Sequence, residues 1–262
     1  MNILSLAFSH VIYQPIFNTL LYIQKIVPGH DLGISIIVVT VLIKAVLYQP
    51  SLAAIRSSRQ LQSLQPKLKA LQEQFKDNKE QLAKEQMKLY RENRVNPISS
   101  CLTPLIQLPV LIGLYQVFYN GIRVDAHGLL HASQLHNVYA ALRGYYAHTS
   151  INTMFLHWVD MTKTHNLVLA ALAGLTTWWQ SSMLASPKEP KIPGAKDEGL
   201  TSAINKQTKV LLPIMMTYFS YRFPSGLALY WFVSTIFTIG QQYVFLRQHK
   251  LANSVKKDEQ PT

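Results

Sequence analysis

Four stretches of the chain, residues 32–48, 98–119, 167–184 and 227–245, are apolar and almost free of charge, and polar, mostly basic segments separate them. Each is long enough as a helix to cross roughly 30 Å of hydrocarbon. A fifth apolar stretch, residues 210–221, is shorter and holds Pro213. The turn Arg222-Phe223-Pro224-Ser225-Gly226 joins it directly to the next stretch as a helical hairpin, with Pro224 and Gly226 as the breakers. The pattern predicts an all-α membrane protein with five transmembrane helices, at 31–51, 98–121, 165–185, 209–222 and 226–246.

Residues 1–30 follow a different pattern. Tyr13, Ile16, Phe17, Leu20, Leu21 and Ile23 form an apolar side beside Gln14, Asn18 and Gln24, and Pro28-Gly29 ends the segment. This predicts an amphipathic helix lying in the membrane interface on the outside. No Lys or Arg precedes the apolar stretch and no small-residue cleavage site follows it, so an uncleaved helix is favoured over a signal peptide.

Charge orients the spans. The 262 residues hold 25 Lys and Arg against 13 Asp and Glu, a net charge of +12. Ten of the basic residues lie in 52–97, five in 185–209 and four in the tail from Arg247, whereas Lys25, Arg123, Arg143, Lys163 and Arg222 fall on the opposite side. By the positive-inside rule, 52–97, the loop 186–208 and the short basic tail 247–262 are cytoplasmic, and the loop 122–164 is extracytoplasmic. The N-terminus is then outside and the C-terminus inside. Because the charge follows membrane sidedness, specific nucleic-acid binding is disfavoured. The single cysteine excludes an intramolecular disulfide, and no Cys/His group has zinc-site spacing.

In the cytoplasmic segment 52–97, Leu61, Leu64, Leu68, Leu71 and Phe75 repeat at spacings of three and four, a coiled-coil type seam. Asp77-Asn78 marks a turn, a second amphipathic helix with Leu82, Met87, Leu89 and Tyr90 returns against the first, and Asn96-Pro97 stops it. The helical hairpin is either a charged link between two spans or a docking and gating element.

Polar residues recur inside the spans. Thr40 and Lys44 share a face of the first. Ser99, Ser100, Thr103 and Gln107 lie early in the second, Thr177, Gln180 and Ser181 late in the third, and Ser234, Thr238, Gln241 and Gln242 late in the fifth. With the topology above, all fall in the cytoplasmic half of the membrane. Polar side chains in hydrocarbon are unfavourable unless they face one another or water, so the stripes predict a hydrated cavity open to the cytoplasm. The outer halves, with Ile34, Ile36, Ile37, Val38 and Val39 facing a similar run from Val110 to Leu114, are dry. Lys44, the charge set well inside a span, either lines this cavity or snorkels to the headgroups about 9 Å away at 1.5 Å per residue. Thr40 on the same face favours the cavity.

Three blocks, in this order and spacing, are specific. They are Thr40, Lys44 and Pro50 of the first span; Asn96-Pro97 leading into Pro104-Leu105-Ile106-Gln107-Leu108-Pro109; and Leu212-Pro213-Ile214-Met215 followed by Phe223-Pro224-Ser225-Gly226-Leu227-Ala228-Leu229-Tyr230-Trp231 and Gln241-Gln242. The hairpin motifs Leu64-Gln65-Pro66-Lys67 and Met87-Lys88-Leu89-Tyr90 accompany them. Together they resemble the YidC/Oxa/Alb family of membrane protein insertases over nearly the full length. The resemblance implies a five-helix core around a hydrophilic groove, with Lys44 as its basic residue and Thr40, Gln107, Gln180, Tyr230 and Trp231 lining or framing it. It implies a bacterial cytoplasmic (inner) membrane protein whose partners are nascent membrane proteins and the lipid bilayer, with the Sec translocon and the ribosome as further candidates. The family usually has Arg where this chain has Lys44, an exchange that suits a point charge better than a bidentate contact. The large extracytoplasmic domain of some members has no counterpart in these residues, and Arg247, Lys250, Lys256 and Lys257 are the tail's basic residues.

The implied action is non-covalent and not enzymatic, and no cofactor is expected. The groove hydrates the polar flank of an incoming segment while its apolar residues enter lipid, and no Walker, Gly-X-Ser-X-Gly or His-Glu-X-X-His motif is present. A small polytopic transporter or channel is the alternative, but its pathway would need polar residues through the outer halves too. A membrane enzyme has less support still. His127 and His131 would share a face if helical, yet no third ligand is set by spacing, so His127, His131, His136 and His148 are read as solvated loop residues. Cys101 is read as an ordinary thiol and Arg222 as an anchor for the outer turn at lipid phosphates.

Overall fold

Val27 is extended and Gly29 takes a left-handed φ of 70°, so the N-terminal helices stop there and the chain reverses. The structure, a computed structural model, describes residues 3–76, 78–96, 99–125, 127–183 and 200–258. Asp77, Pro97, the larger part of the loop 186–208, and the side chains of Ser99, Ser100, Cys101, Thr103, Lys250, Lys256 and Lys257 lie outside the described residues.

The chain is mostly helical. Helices α1 (Ile3–Phe8) and α2 (Gln14–Ile26) are joined by a π turn, Ser9–Tyr13. Helix α3 (Leu32–Val46) is capped by Asp31, whose Oδ1 accepts the Ile34 amide at 2.9 Å. After a bend of 67° at Leu47 it continues as α4 (Tyr48–Ser63). Helices α5 (Gln65–Gln74) and α6 (Lys79–Glu92) form the hairpin, and α7 (Ser99–Gln116) ends in a second π turn, Val117–Gly121. The segment between α7 and α10, expected from its charge to be the outer segment, holds α8 (Ala132–Leu135), α9 (Ala140–Tyr146) and two short antiparallel strands, β1 (Met154–Phe155) and β2 (Val159–Asp160). Helices α10 (Leu167–Met183), α11 (Leu200–Arg222) and α12 (Ser225–Asp258) complete the fold, with α10 packed along α11 and α12, and α12 against α3. Gly174 permits the first of these contacts, because a methyl there would overlap the Thr217 side chain of α11.

Pro50 falls in the first turn of α4, where its missing N–H has no intrahelical partner to lose. Two local expectations are modified. The leucine seam is not one helix, since the chain breaks at Leu64 and Pro66 opens α5. Leu64 and Leu68 are still buried, with Val95, Leu61, Leu89 and Tyr90 around them, whereas Leu71 and Phe75 are half-buried. The polar side of α2 is not its wet side. Asn18 and Gln24 are buried while Tyr22 and Ile26 are exposed. The Asn18 and Gln24 carboxamides supply partners to backbone groups: Asn18 donates to Asn137 O and accepts from Tyr139 N, and Gln24 donates to His30 O and Asn152 O. Buried amides and carbonyls require such partners.

One apolar core joins α2, α3, the end of α7, the outer segment and the start of α12, with Phe17, Leu20, Leu21, Leu32, Ile36, Leu114, Met161 and Leu227 almost fully enclosed. Among the described residues no single helix is long and apolar enough to cross a membrane, but the bent pair α3–α4 is, taken together. The stretch from His127 to His131 is closed by a Val124–Leu130 bridge instead of forming a helix, so the two histidines do not share a helical face.

Candidate functional site

Two buried stripes with a four-residue period face each other across α3 and α12. On α3 they are Ile36, Thr40 and Lys44, and on α12 Tyr230, Ser234, Thr238 and Gln242. Lys44 is 5% exposed although it is the only ionisable residue of its helix. Its Nζ donates to Thr238 Oγ1 at 3.2 Å. The Thr238 hydroxyl donates in turn to Ser234 O at 2.9 Å, which leaves its lone pairs turned to the ammonium. Thr40 spends its own proton on Ile36 O at 2.6 Å, so its oxygen is free to accept.

The cluster extends along α12. Ser51, in the first turn of α4, donates to Gln241 Oε1 at 2.9 Å. Gln241 Nε2 and Gln242 Oε1 are buried and have no partner among the described residues. Gln107 of α7 hydrogen-bonds the Tyr230 phenol. Thus Lys44, Thr40, Gln107 and Tyr230 come together on three helices. Gln180 on α10 and Trp231 on α12 are half-buried and make no hydrogen bond to the group among the described residues. Thr177, one turn before Gln180, is buried and bonded to its own helix at Ala173 O.

The chemistry is that of an under-satisfied cation. An ammonium has three donors, and only one is engaged by a side chain that carries no charge. Among the described residues no carboxylate pairs with Lys44. A buried charge without a counter-charge is costly unless water or an incoming polar group supplies the missing bonds. The spare donors of Lys44 and Gln241 and the spare acceptor of Gln242 could serve a polar chain segment, and nothing in the group resembles a nucleophile with its base.

The sequence places Thr238 in the polar stripe of the cavity without singling it out as a framing residue, and it gives Ser51 no place in the site. The signal for Thr238 was present, since Tyr230, Ser234, Thr238 and Gln242 repeat every four positions. No periodicity points to Ser51, which reaches Gln241 only because of the bend at Leu47.

The sequence model of the 60Kd inner membrane protein family matches residues 22–253. The chain belongs to this family. Among its curated relatives, the membrane protein insertase YidC of Actinobacillus pleuropneumoniae serotype 3 is 32% identical over 238 residues, which is 90% of this chain and 36% of that protein. The membrane protein insertase YidC of Francisella tularensis subsp. novicida is 32% identical over 220 residues, 83% of this chain and 33% of that protein. The chain therefore spans about a third of the length of the curated relatives it matches. The resemblance carried by the proline, glutamine and Phe223–Trp231 blocks is borne out, and this 60Kd inner membrane protein family member joins those blocks through the Gln107–Tyr230 contact.

Proposed function

We propose that the chain is a membrane protein insertase of the bacterial inner membrane, which guides hydrophobic segments of nascent proteins into lipid without catalysing a covalent reaction. The observation that carries this is Lys44, a buried cation bonded to one neutral hydroxyl, beside glutamine groups with unused hydrogen-bonding capacity. The relatives' names point the same way.

Five spans are formed by α3 with the start of α4, α7 with its π turn, α10, the second half of α11 and the first half of α12. Helix α3 has 15 residues, only about 22 Å at 1.5 Å per residue, so the first span needs the start of α4 to cross about 30 Å of hydrocarbon. The N-terminus lies outside and the C-terminus inside, as the distribution of Lys and Arg favours. The polar cluster then sits in the cytoplasmic half of the bilayer and hydrates the flank of an incoming segment through a groove framed by Thr40, Gln107, Gln180, Tyr230 and Trp231. The remaining dry layer is thinner than the bilayer. Transfer of about 20 apolar residues into lipid drives the step, and a potential positive outside adds about 2.3 kcal/mol per 100 mV for each acidic charge carried outward. Nascent membrane proteins and lipid are its partners, with the Sec translocon and ribosome as candidates for assistance.

The test is insertion of a single-span substrate into vesicles holding the purified chain, combined with photocrosslinking from Gln180 to a stalled nascent segment. Substrate protected from protease, with crosslinks to its span, supports the proposal. Solute flux without a polypeptide substrate and no crosslink would replace it with a transporter.

A further inference from the structure

The β1–β2 hairpin lies where four helix ends meet. Phe155 occupies the space that a side chain on Gly33, in the first turn of α3, would fill. The Leu156 amide donates to Asp31 Oδ2 at 2.7 Å, so the carboxylate that caps α3 also holds the tip of the hairpin. Beyond β2, Gly226 N donates to Met161 O at 2.8 Å and Ser225 Oγ to Lys163 O at 2.7 Å, both from the start of α12. His165 N donates to Tyr221 O at the end of α11, and Asn166 caps α10 at the Leu169 amide. The hairpin is therefore fixed at the level where α3, α10, α11 and α12 all begin or end.

Its tip faces away from the protein. Leu156 is 57% exposed, Trp158 is 89% exposed, and His157 between them is exposed. Leu156 and His157 hold φ of 49° and 63°, a left-handed conformation that disfavours bulky side chains. Turns of this kind ordinarily carry Asn or Gly. Here a leucine is held in that conformation by a buried carboxylate, and a tryptophan stands beside it. The apolar surface continues at this level, since Leu167 and Val168 at the start of α10 are each 69% exposed. Cations flank it: Lys163, at the base of the hairpin, is largely exposed and lies 3.7 Å from Asp160 Oδ2, a loose pair that leaves donors for a phosphate, and Arg222 lies over the Tyr218 ring at the end of α11.

We propose that Leu156–His157–Trp158 is a rigid anchor seated in the headgroup layer of the outer leaflet, with Lys163 and Arg222 taking lipid phosphates. Tryptophan at the interface, apolar surface on the helix side and cations at phosphate depth are the chemistry of that layer. The leaflet rests on the orientation proposed above, whereas the lipid seat does not.

The experiment places an environment-sensitive dye on Trp158→Cys in the full chain carrying Cys101→Ser, with His148→Cys in the outer loop as control, in vesicles with and without anionic phosphatidylglycerol. The expected result is a blue shift at 158, loss of quenching by aqueous iodide, and stronger quenching by a headgroup nitroxide than by one deep in the acyl chain, while 148 stays open to iodide. The shift should be larger with phosphatidylglycerol, and Lys163→Gln should remove that increment. Equal iodide quenching at both positions overturns the anchor, and so does shielding from iodide without quenching by nitroxide lipid, which would mean a protein surface covers the tip. Absence of any phosphatidylglycerol effect overturns the phosphate contacts. Dithionite added outside vesicles of known orientation reads the leaflet separately: a lipid-seated label on the cytoplasmic side keeps the anchor and overturns the proposed topology.

Discussion

The ammonium of Lys44 and the hydroxyl of Thr238 are 194 residues apart in sequence and 3.2 Å apart in space. This bond ties the first apolar helix to the last at the depth of the polar cluster. Thr238→Val keeps the shape but leaves Lys44 without its acceptor, and a hydrogen bond to a charged group contributes about 1.5–3 kcal/mol. Thermal unfolding in detergent should show that loss, and Thr238→Ser should restore most of it. Equal stability of the valine variant would mean that water already satisfies the lysine.

The sign of the charge at residue 44 is predicted to matter for acidic substrates. At an effective dielectric of about 20, two unit charges roughly 6 Å apart interact by about 3 kcal/mol. Lys44→Arg should be tolerated, Lys44→Ala should be intermediate, and Lys44→Glu should suppress insertion of substrates with acidic flanks while sparing strongly apolar ones. Matched substrates in vesicles with each variant at equal abundance provide the measurement. Efficient insertion of acidic flanks by the glutamate variant would reduce Lys44 to a snorkelling anchor.

Besides packing against α7, helix α4 is held by hydrogen bonds to α12 and α10. Ser51 holds Gln241 of α12, and the Arg59 guanidinium donates to Met183 O at the end of α10 at 2.7 Å. The second bond combines a charged donor with a carbonyl at a helix C-terminus, where the dipole favours a cation. Removing both in Ser51→Ala, Arg59→Ala should free the hairpin, which a broader distance distribution between spin labels at Gln74 and Arg247 would reveal. Deleting residues 61–90 behind a short linker should lower insertion with the spans still folded. Unchanged insertion at equal protein level would leave the hairpin as a link only.

Tyr146 predicts an alkaline limit for the outer segment. Its hydroxyl donates to Leu21 O at 2.6 Å and lies 3.1 Å from Gln24 Oε1. Burial, with a contribution from Tyr145, raises its pKa far above 10.0. The unfolded tyrosine ionises first, so the stabilisation is complete below pH 10 and is lost as pH rises beyond it. Tyr146→Phe should cost about 1–2 kcal/mol at neutral pH by breaking these bonds and flatten the alkaline slope. Unfolding temperature measured from pH 8 to 12 in parent and variant provides the comparison.

The helical fold was legible in the sequence because its signals are local: apolar runs, the Asp77-Asn78 turn signal, and Pro224 between α11 and α12, although Gly226 falls inside the first turn of α12. Lys44 and Thr40 were legible as well, since a charge inside an apolar run stands out without any neighbour. The Gln107–Tyr230 contact was approachable only through the family resemblance. The break at Leu64 was within reach too, because Pro66 announces it, but the leucine spacing dominated the pattern.

What the sequence determined by itself was the mostly helical fold class, the asymmetry of basic charge and the family. The tertiary structure alone decided that Thr238 is the acceptor for Lys44, that Ser51 reaches Gln241, that Asn18 and Gln24 face inward, and that Asp31 holds the tip at Leu156. Periodicity reports which side of a helix is polar, but not whether that side meets water or another chain segment's unpaired backbone. Those pairings depend on the bend at Leu47 and on the close approach at Gly33, which packing across distant segments sets.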